Sequence, residues 1–450
     1  MFENKNIFIL GFARSGYEAA KFLVKRGNRV TLNDAKDEDK LETVKIQELR
    51  ELGVNFIFGS HPDEALNNDF DYFIKNPGVP IDHKYVLKAR ELGIPVINEV
   101  EMAYQLLPKD ITLIGITGTN GKTTTTTLIY EIIAASGRRV HLAGNIGYPL
   151  CSFLDKLQSG DIIVMEVSCQ QLENVDLFKP RIAVMTNLSP AHVDFFHTYE
   201  AYKKVKSKIF AHQTVDDIAV LNMENTEVLE LSKNIKSSTV YFSSKNEING
   251  CYIKDGVIYY YAEEIIAIKD IFLVGKHNLE NIMSSIMVVK QLNISNETIV
   301  DVLKTFKGVE HRLEFVRNFR GRLFYNDTEA TNIKSTEIAL QSFEKPVILY
   351  LGGLDRGQDF NLLKENMTYV KAIIGIGQSR ERVLEFGKSL QIPTYIFEHL
   401  REAFKKSYEV SDSGDIILLS PASASWDQYK QCEDRGLEFK EYVEELTNED

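Results

Sequence analysis

An apolar run, Ile111-Thr112-Leu113-Ile114-Gly115-Ile116, leads directly into Gly118-Thr119-Asn120-Gly121-Lys122-Thr123 and then into a helical pattern. A buried strand, a turn with two glycines and a helix opening on lysine and threonine aim backbone N–H groups and the positive end of a helix dipole at one point. That point suits a phosphate. The unit needs a parallel sheet with helices packed on it, which restricts the chain to the α/β class. The strict phosphate-loop pattern asks for glycine six residues before the lysine, and Ile116 stands there instead. The order of strand, glycines, lysine and threonine is still the one the mechanism requires. Lys122 is expected at the β/γ phosphates of a nucleoside triphosphate and Thr123 at Mg2+, with Gly118, Thr119, Asn120, Gly121 and Thr124 completing the loop. The alternative is a chance glycine-rich turn whose threonines merely start a helix.

The same alternation continues on both sides. At 450 residues the chain exceeds what one core usually serves. Three domains are expected, with boundaries near 104 and 308: residues 1–104, 105–308 and 309–450. In the first, strands at Asn6 to Leu10, Arg29 to Leu32 and Tyr72 to Ile74 surround a helix from Tyr17 to Lys25. In the second, buried-type strands fall at 161–167, 181–186 and 218–221, and alternation over 256–274 predicts an added antiparallel hairpin. In the third, strands are expected at 347–351, 372–376, 393–397 and 416–420. The acidic end, Glu444 to Asp450, reads as a solvated tail.

Charge and cysteine usage exclude several classes. With 64 acidic against 52 basic residues, a net charge of −12 argues against a nucleic-acid partner. No apolar run approaches the roughly 20 residues a membrane span needs. The start, Met1-Phe2-Glu3-Asn4-Lys5, leads straight into a strand, so a secretion signal is not expected. Cys151, Cys169, Cys251 and Cys432 lack metal or disulfide spacing, which suits a reducing compartment. The expectation is a cytoplasmic monomer.

The loop Gly118–Thr123 resembles the ATP loop of the Mur ligase family, to which the folylpolyglutamate synthetases also belong, and further segments match in the family's order. Gly144-Asn145-Ile146-Gly147 resembles the turn whose Asn contacts the muramoyl substrate. Glu166-Val167-Ser168-Cys169-Gln170-Gln171 resembles the segment with a magnesium-binding Glu, so the resemblance assigns Glu166 to metal and Ser168 and Gln171 to the substrate. Asn187-Leu188-Ser189-Pro190-Ala191-His192 places His192 at a second metal. In Tyr202–Ile209 the register selects Lys206 as the lysine carbamylated by CO2, although a solvated basic face describes some of Lys203, Lys204, Lys206 and Lys208. Gly275-Lys276-His277-Asn278-Leu279-Glu280-Asn281 is similar to the adenine-binding segment and implicates Asn278 and Asn281. Arg312 and Asp327 match residues that reach ATP.

The resemblance implies a Rossmann-like first domain, a central P-loop-type domain with a mainly parallel sheet, and a Rossmann-like third domain. It also implies ATP, two Mg2+ sites and an acyl-phosphate route to an amide, with Lys122, His192 and Lys206 as catalytic candidates. Leu419–Asp427 is most similar to the branch that adds D-glutamate to UDP-N-acetylmuramoyl-L-alanine, where Thr331, Arg356 and Ser425 would bind the amino acid. Three positions depart from the familiar pattern: Glu329 stands where lysine is common, Arg356 where some members have lysine, and Cys432 replaces a phenylalanine. A guanidinium can still grip a carboxylate. Glu329 would repel one unless it turns away or pairs with a cation.

Gly11-Phe12-Ala13-Arg14-Ser15-Gly16 is a dinucleotide-type glycine turn, which taken alone also suits a nicotinamide-dependent dehydrogenase. The family reading assigns Arg14, Ser15, Asp34, Asn76, Pro77, Gly78 and Asn145 to the UDP-linked substrate. The ATP loop downstream favours that reading over hydride transfer.

Overall fold

The apolar runs become the strands of three sheets in the computed structural model, which describes residues 2–447. The first sheet consists of β1 (Asn6–Leu10), β2 (Arg29–Asp34), β3 (Asn55–Phe58), β4 (Tyr72–Lys75) and β5 (Val96–Ile97), in the order β3-β2-β1-β4-β5. Every pairing in it is parallel. The second has nine strands: β6 (Thr112–Thr117), β7 (Val140–Gly144), β8 (Ile162–Glu166), β9 (Ile182–Met185), β10 (Ile218–Asn222), β11 (Ser238–Ser243), β12 (Cys251–Lys254), β13 (Val257–Tyr260) and β14 (Glu263–Ala267). Their order is β14-β13-β12-β11-β10-β9-β6-β8-β7. It is parallel as far as β12 and closes with the expected hairpin of β13 and β14, to which β12 adds a third strand. The third sheet runs β15 (Glu314–Phe319), β16 (Arg322–Asn326), β20 (Ile416–Leu419), β17 (Val347–Gly352), β18 (Val370–Ile376) and β19 (Thr394–Phe397), with only the β15–β16 pair antiparallel.

Two compact units result. One contains the residues up to Ile268 together with Glu280–Val302, and thus the first two sheets; the other contains Lys269–Leu279 with Leu303 onward. The parallel strands β6, β8, β9 and β10 are almost wholly buried because helices cover both faces, which is why they read as continuous apolar runs. Gly115 in β6 belongs to this packing: a Cβ there would lie 3.1 Å from Pro180 and 3.3 Å from Ile209.

Within the first unit, two carboxylates of the helix Glu99–Tyr104 serve loops of the second sheet. Glu99 accepts from the backbone N–H of Cys151 (2.7 Å), and Glu101, wholly buried, accepts from those of Asp176, Leu177 and Phe178 at 2.9, 2.9 and 3.1 Å. In the second unit, Glu444 and Glu445 do not form a tail. They end the helix Cys432–Glu445, and residues 448–450 lie outside the described residues. Among the described residues, no helix is long and apolar enough to cross a membrane.

Candidate active site

The loop after β6 is held by sterics and by hydrogen bonds from the strand beside it. Gly118 has φ +150°, and a Cβ on it would stand 1.9 Å from Thr186 Oγ1; Gly121 has φ +78°, and a Cβ there would stand 2.1 Å from Asn281 Oδ1. Only glycine fits either place. The backbone N–H groups of Thr119 and Asn120 donate to Asn187, one to its carbonyl and one to its side chain, both at 2.9 Å. Thr186 Oγ1 donates to the Asn120 carbonyl at 2.7 Å, and Thr119 Oγ1 lies 2.9 Å from the Tyr202 hydroxyl. The helix Lys122–Ala135 starts on Gly121 with Lys122 and Thr123 in its first turn. Lys122 Nζ donates to the Thr119 carbonyl at 2.9 Å, so its ammonium already lies against the loop.

Lys206 comes to the same loop from the helix Tyr199–Ser207. It is 1% exposed, and its Nζ donates to Gly118 O at 2.8 Å and Thr117 Oγ1 at 3.1 Å. Burial, reinforced by the charge of Lys122, brings its ammonium down to about 7. Of the four lysines in that stretch, Lys206 alone is buried; Lys203 is engaged by Glu200 and Glu227. Glu166, at the end of β8, is 1% exposed; its Oε1 accepts from Asn145 Nδ2 at 2.7 Å, while its buried Oε2 has no hydrogen-bond partner. A buried carboxylate oxygen left unpaired is costly, and a hard cation would satisfy it. His192 is exposed with φ +52°, its ring 6.1 Å from that of Tyr202. No group of three or more His, Cys, Asp or Glu side chains suited to a metal is assembled among the described residues. The unpaired Glu166 oxygen fits a cation held by few protein groups and by phosphate oxygens, as Mg2+ commonly is.

The first glycine turn packs against the end of β4. Gly11 has φ +101°, and a Cβ on it would meet Asn76 Cβ at 2.8 Å. Asn76 Nδ2 donates to Ser15 Oγ at 3.0 Å, and the Gly78 N–H donates to Asn76 Oδ1 at 3.1 Å. Asp34 accepts from the Phe12 N–H at 2.8 Å. Arg14 reaches the Asn145 turn, donating to the carbonyls of Gly147 (2.9 Å) and Asn145 (3.0 Å). Ser168 and Gln171 form a reciprocal capping box on the helix Cys169–Glu173, so both side chains already have protein partners.

On the helix Lys276–Gln291, Asn278 Nδ2 donates to Val274 O at 2.6 Å, and Asn281 Oδ1 accepts from Thr125 Oγ1 at 3.4 Å.

In the second unit, Asp327 is buried after β16 and accepts from Ser420 Oγ (2.7 Å) and the Leu313 N–H (3.0 Å). Burial, only partly offset by these bonds, pushes its carboxyl up to about 7. Arg312 pairs with Glu329, so the cation that Glu329 requires is present. Arg356 is exposed and lies over the Trp426 ring, 4.6 Å from its centroid. Thr331 is exposed, whereas Ser425 is 1% exposed and its Oγ has no partner. The Cys432 carbonyl accepts from Thr328 Oγ1 at 2.8 Å, and burial raises its thiol to about 11.

Three contributors escape sequence reasoning. Asn187 and Tyr202 bond the phosphate loop but enter the reading only as neighbours of His192 and Lys206. Arg435 is buried, with Nε donating to Thr328 Oγ1 (2.9 Å) and Nη2 to the carbonyls of Thr328 (3.0 Å) and Ser423 (3.1 Å), which ties together the loops that carry Thr331 and Ser425.

The family descriptions Mur ligase middle domain and Mur ligase MurD-like, N-terminal domain match residues 116–289 and 5–98. The chain is 44% identical to the UDP-N-acetylmuramoylalanine–D-glutamate ligase of Geobacillus sp. (strain WCH70), over 99% of this chain and 98% of that one. It is also 44% identical to the ligase of the same name from Streptococcus agalactiae serotype III (strain NEM316), over 100% and 99%. Among solved structures it resembles the UDP-N-acetylmuramate-alanine ligase MurC of Thermotoga maritima with a TM-score of 0.58 at 19% identity, covering 98% and 100% of the two chains. It resembles the MurF ligase of Thermotoga maritima in complex with ADP with a TM-score of 0.56 at 18% identity, covering 92% and 95%.

Proposed function

Because the chain belongs to the Mur ligase family, we propose that it uses ATP to join D-glutamate to UDP-N-acetylmuramoyl-L-alanine, as a cytoplasmic monomer making a peptidoglycan precursor. The observation that carries the chemistry is the convergence of Lys122, buried Lys206 and the unpaired Glu166 Oε2 around a loop built for phosphate. In this reading the L-alanyl carboxylate attacks the γ-phosphorus of ATP, giving an acyl phosphate and ADP. The amine of D-glutamate then attacks the acyl carbon, and the tetrahedral intermediate expels phosphate. Lys122 and the loop N–H groups stabilise charge developing on the transferred group.

Thr123, Glu166, His192 and Lys206 are the residues that would hold two Mg2+, which would supply Lewis-acid stabilisation of the phosphates. An amine titrating near 7 is partly unprotonated at neutral pH, the form that adds CO2, which supports carbamylation of Lys206. The remaining loop residues, Thr119, Asn120 and Thr124, with Asn278, Asn281, Arg312 and Asp327, are assigned to ATP. Arg14, Ser15, Asp34, Asn76, Pro77, Gly78 and Asn145 are assigned to the UDP-linked substrate. Ser168 and Gln171 are assigned to it as well, through a cap that substrate would have to share. Thr331, Arg356 and Ser425 are assigned to D-glutamate; the exposed guanidinium of Arg356 and the unpaired Ser425 Oγ are the groups left to receive carboxylates.

The test is phosphate release from ATP with UDP-N-acetylmuramoyl-L-alanine across a panel of amino acids. Turnover should require both substrates and favour D-glutamate. Preference for L-lysine or diaminopimelate would overturn the specificity, and no turnover with any amino acid would overturn the ligase reading. Undiminished activity of Lys206→Ala with and without bicarbonate would refute the carbamate.

A further inference from the structure

Lys75 ends β4 on the face of the first sheet where Phe73 packs against Phe8 and Tyr85 belongs to the same apolar cluster. Strand alternation therefore places its side chain where an apolar residue would be at home, and it is wholly buried. A buried ammonium is expensive unless fully paired. Here its pairing is with the backbone: Nζ donates to Val79 O at 2.7 Å and, more weakly, to Asn76 O at 3.5 Å. It thus braces, from inside, the turn whose Asn76 side chain bonds Ser15 and crowds Gly11. Two further neighbours come from the second sheet's side of the same unit, while Arg90, on the helix Lys84–Glu91 beside the first sheet, sets a like charge nearby and pairs with Glu173 at 3.6 Å. The Phe195 ring lies 5.8 Å from Nζ, at the end of the short helix Val193–Phe196 that follows His192. The nearby Glu173 carboxylate, whose buried Oε2 has no hydrogen-bond partner, is the chief charge that favours the ammonium. Burial nevertheless holds Lys75 down to about 8.

We propose that Lys75 is a positioning residue that couples the Asn76–Val79 turn to the segment carrying His192, through its bonds to the turn's carbonyls and its contact with the Phe195 ring. Occupation of the turn by the UDP-linked substrate then fixes the ammonium, and the ammonium fixes Phe195, so that nucleotide sugar and ATP sense one another. The inference rests on the assignment of Asn76–Gly78 to the UDP-linked substrate.

The test uses the full chain with ATP, UDP-N-acetylmuramoyl-L-alanine and D-glutamate, and the variants Lys75→Met, Phe195→Leu, their combination and Asn76→Ala. Lys75→Met and Phe195→Leu should each raise the KM for the nucleotide sugar on the order of tenfold. Each should also abolish the tightening of ATP binding by that substrate while leaving the Kd for ATP alone unchanged, and the double variant should be no worse than either single one. Wild-type constants for Phe195→Leu, or effects that multiply in the double variant, would overturn the coupling. Lys75→Arg, which keeps the charge and the donors, should recover most of the loss; if Lys75→Met does not fold, the Phe195→Leu and Lys75→Arg results decide alone. If Asn76→Ala leaves the nucleotide-sugar KM unchanged, the substrate assignment itself fails, which is a different result from failure of the coupling.

Discussion

Lys206 beside the phosphate loop and Asp327 in the other unit are both buried ionisable groups brought to about 7, one from above and one from below. The cause is the same: desolvation penalises whichever form is charged. The consequences have opposite sign. For Lys206 the unfolded chain holds the extra proton between pH 7 and 10.5, so this residue makes the fold more stable as pH rises through that window. For Asp327 the folded chain holds the extra proton between pH 3.8 and 7, so its contribution to stability is lost as pH rises through that window. The regions differ in wiring as well. Around Lys206 the loop is locked by glycines and neighbouring side chains and the unpaired buried atom, Glu166 Oε2, is an acceptor, whereas near Ser425 and Arg435 the unpaired buried atoms can donate. The glycine-loop region is preassembled, and the Ser425 region keeps donors in reserve.

The largest expected effect is that of Lys206→Met. Amide formation should fall by about a thousandfold, the scale of removing a preorganised polar group from a charge-transfer site. At the same time the rise in stability above pH 7 should flatten relative to the unmodified chain in denaturant titrations. A variant that loses activity but keeps the rise would break the comparison at its first term. Next, Gly118→Ala should raise the KM for ATP by roughly a hundredfold, because a displacement of about 1 Å in a positioning loop has that cost. Near-normal ATP kinetics would show that the loop can yield where Thr186 opposes it.

Asp327→Asn should remove the decline in stability between pH 3.8 and 7 and weaken ATP binding by about tenfold, as measured by melting across pH and by calorimetry. An unchanged pH profile would mean the carboxyl is not neutral when folded. The smallest effect is expected for Glu329→Gln. Its pair with Arg312 is half exposed on the arginine side, so stability should change by about 0.2–1 kcal/mol, while the KM for D-glutamate should fall slightly. A rise in that KM would mean Glu329 aids the amino acid rather than merely being neutralised.

The parallel strands and the glycine turns were legible because burial on both faces and backbone crowding each leave a mark on residue type. β11 and β12, the antiparallel β15–β16 pair and the short β5 were not, since they are part-exposed or too brief to show a period. The choice of Lys206 among its neighbours came from register against a familiar pattern, because a lysine that is buried and one that is solvated look alike in sequence. Lys75 and Arg435 show the same blindness: both are buried, and nothing local announces which carbonyls they will bind. The Arg312–Glu329 pair resolved a conflict that sequence could pose but not decide.

The carboxylates of Glu99 and Glu101 bear on how the chain can be divided. Cutting after Tyr104 would strip the downstream fragment of the acceptors for the N–H groups of Cys151, Asp176, Leu177 and Phe178, leaving four donors to find water or aggregate. A fragment starting just before Glu99 keeps them all, so anyone wishing to express the nucleotide-binding portion alone should begin there.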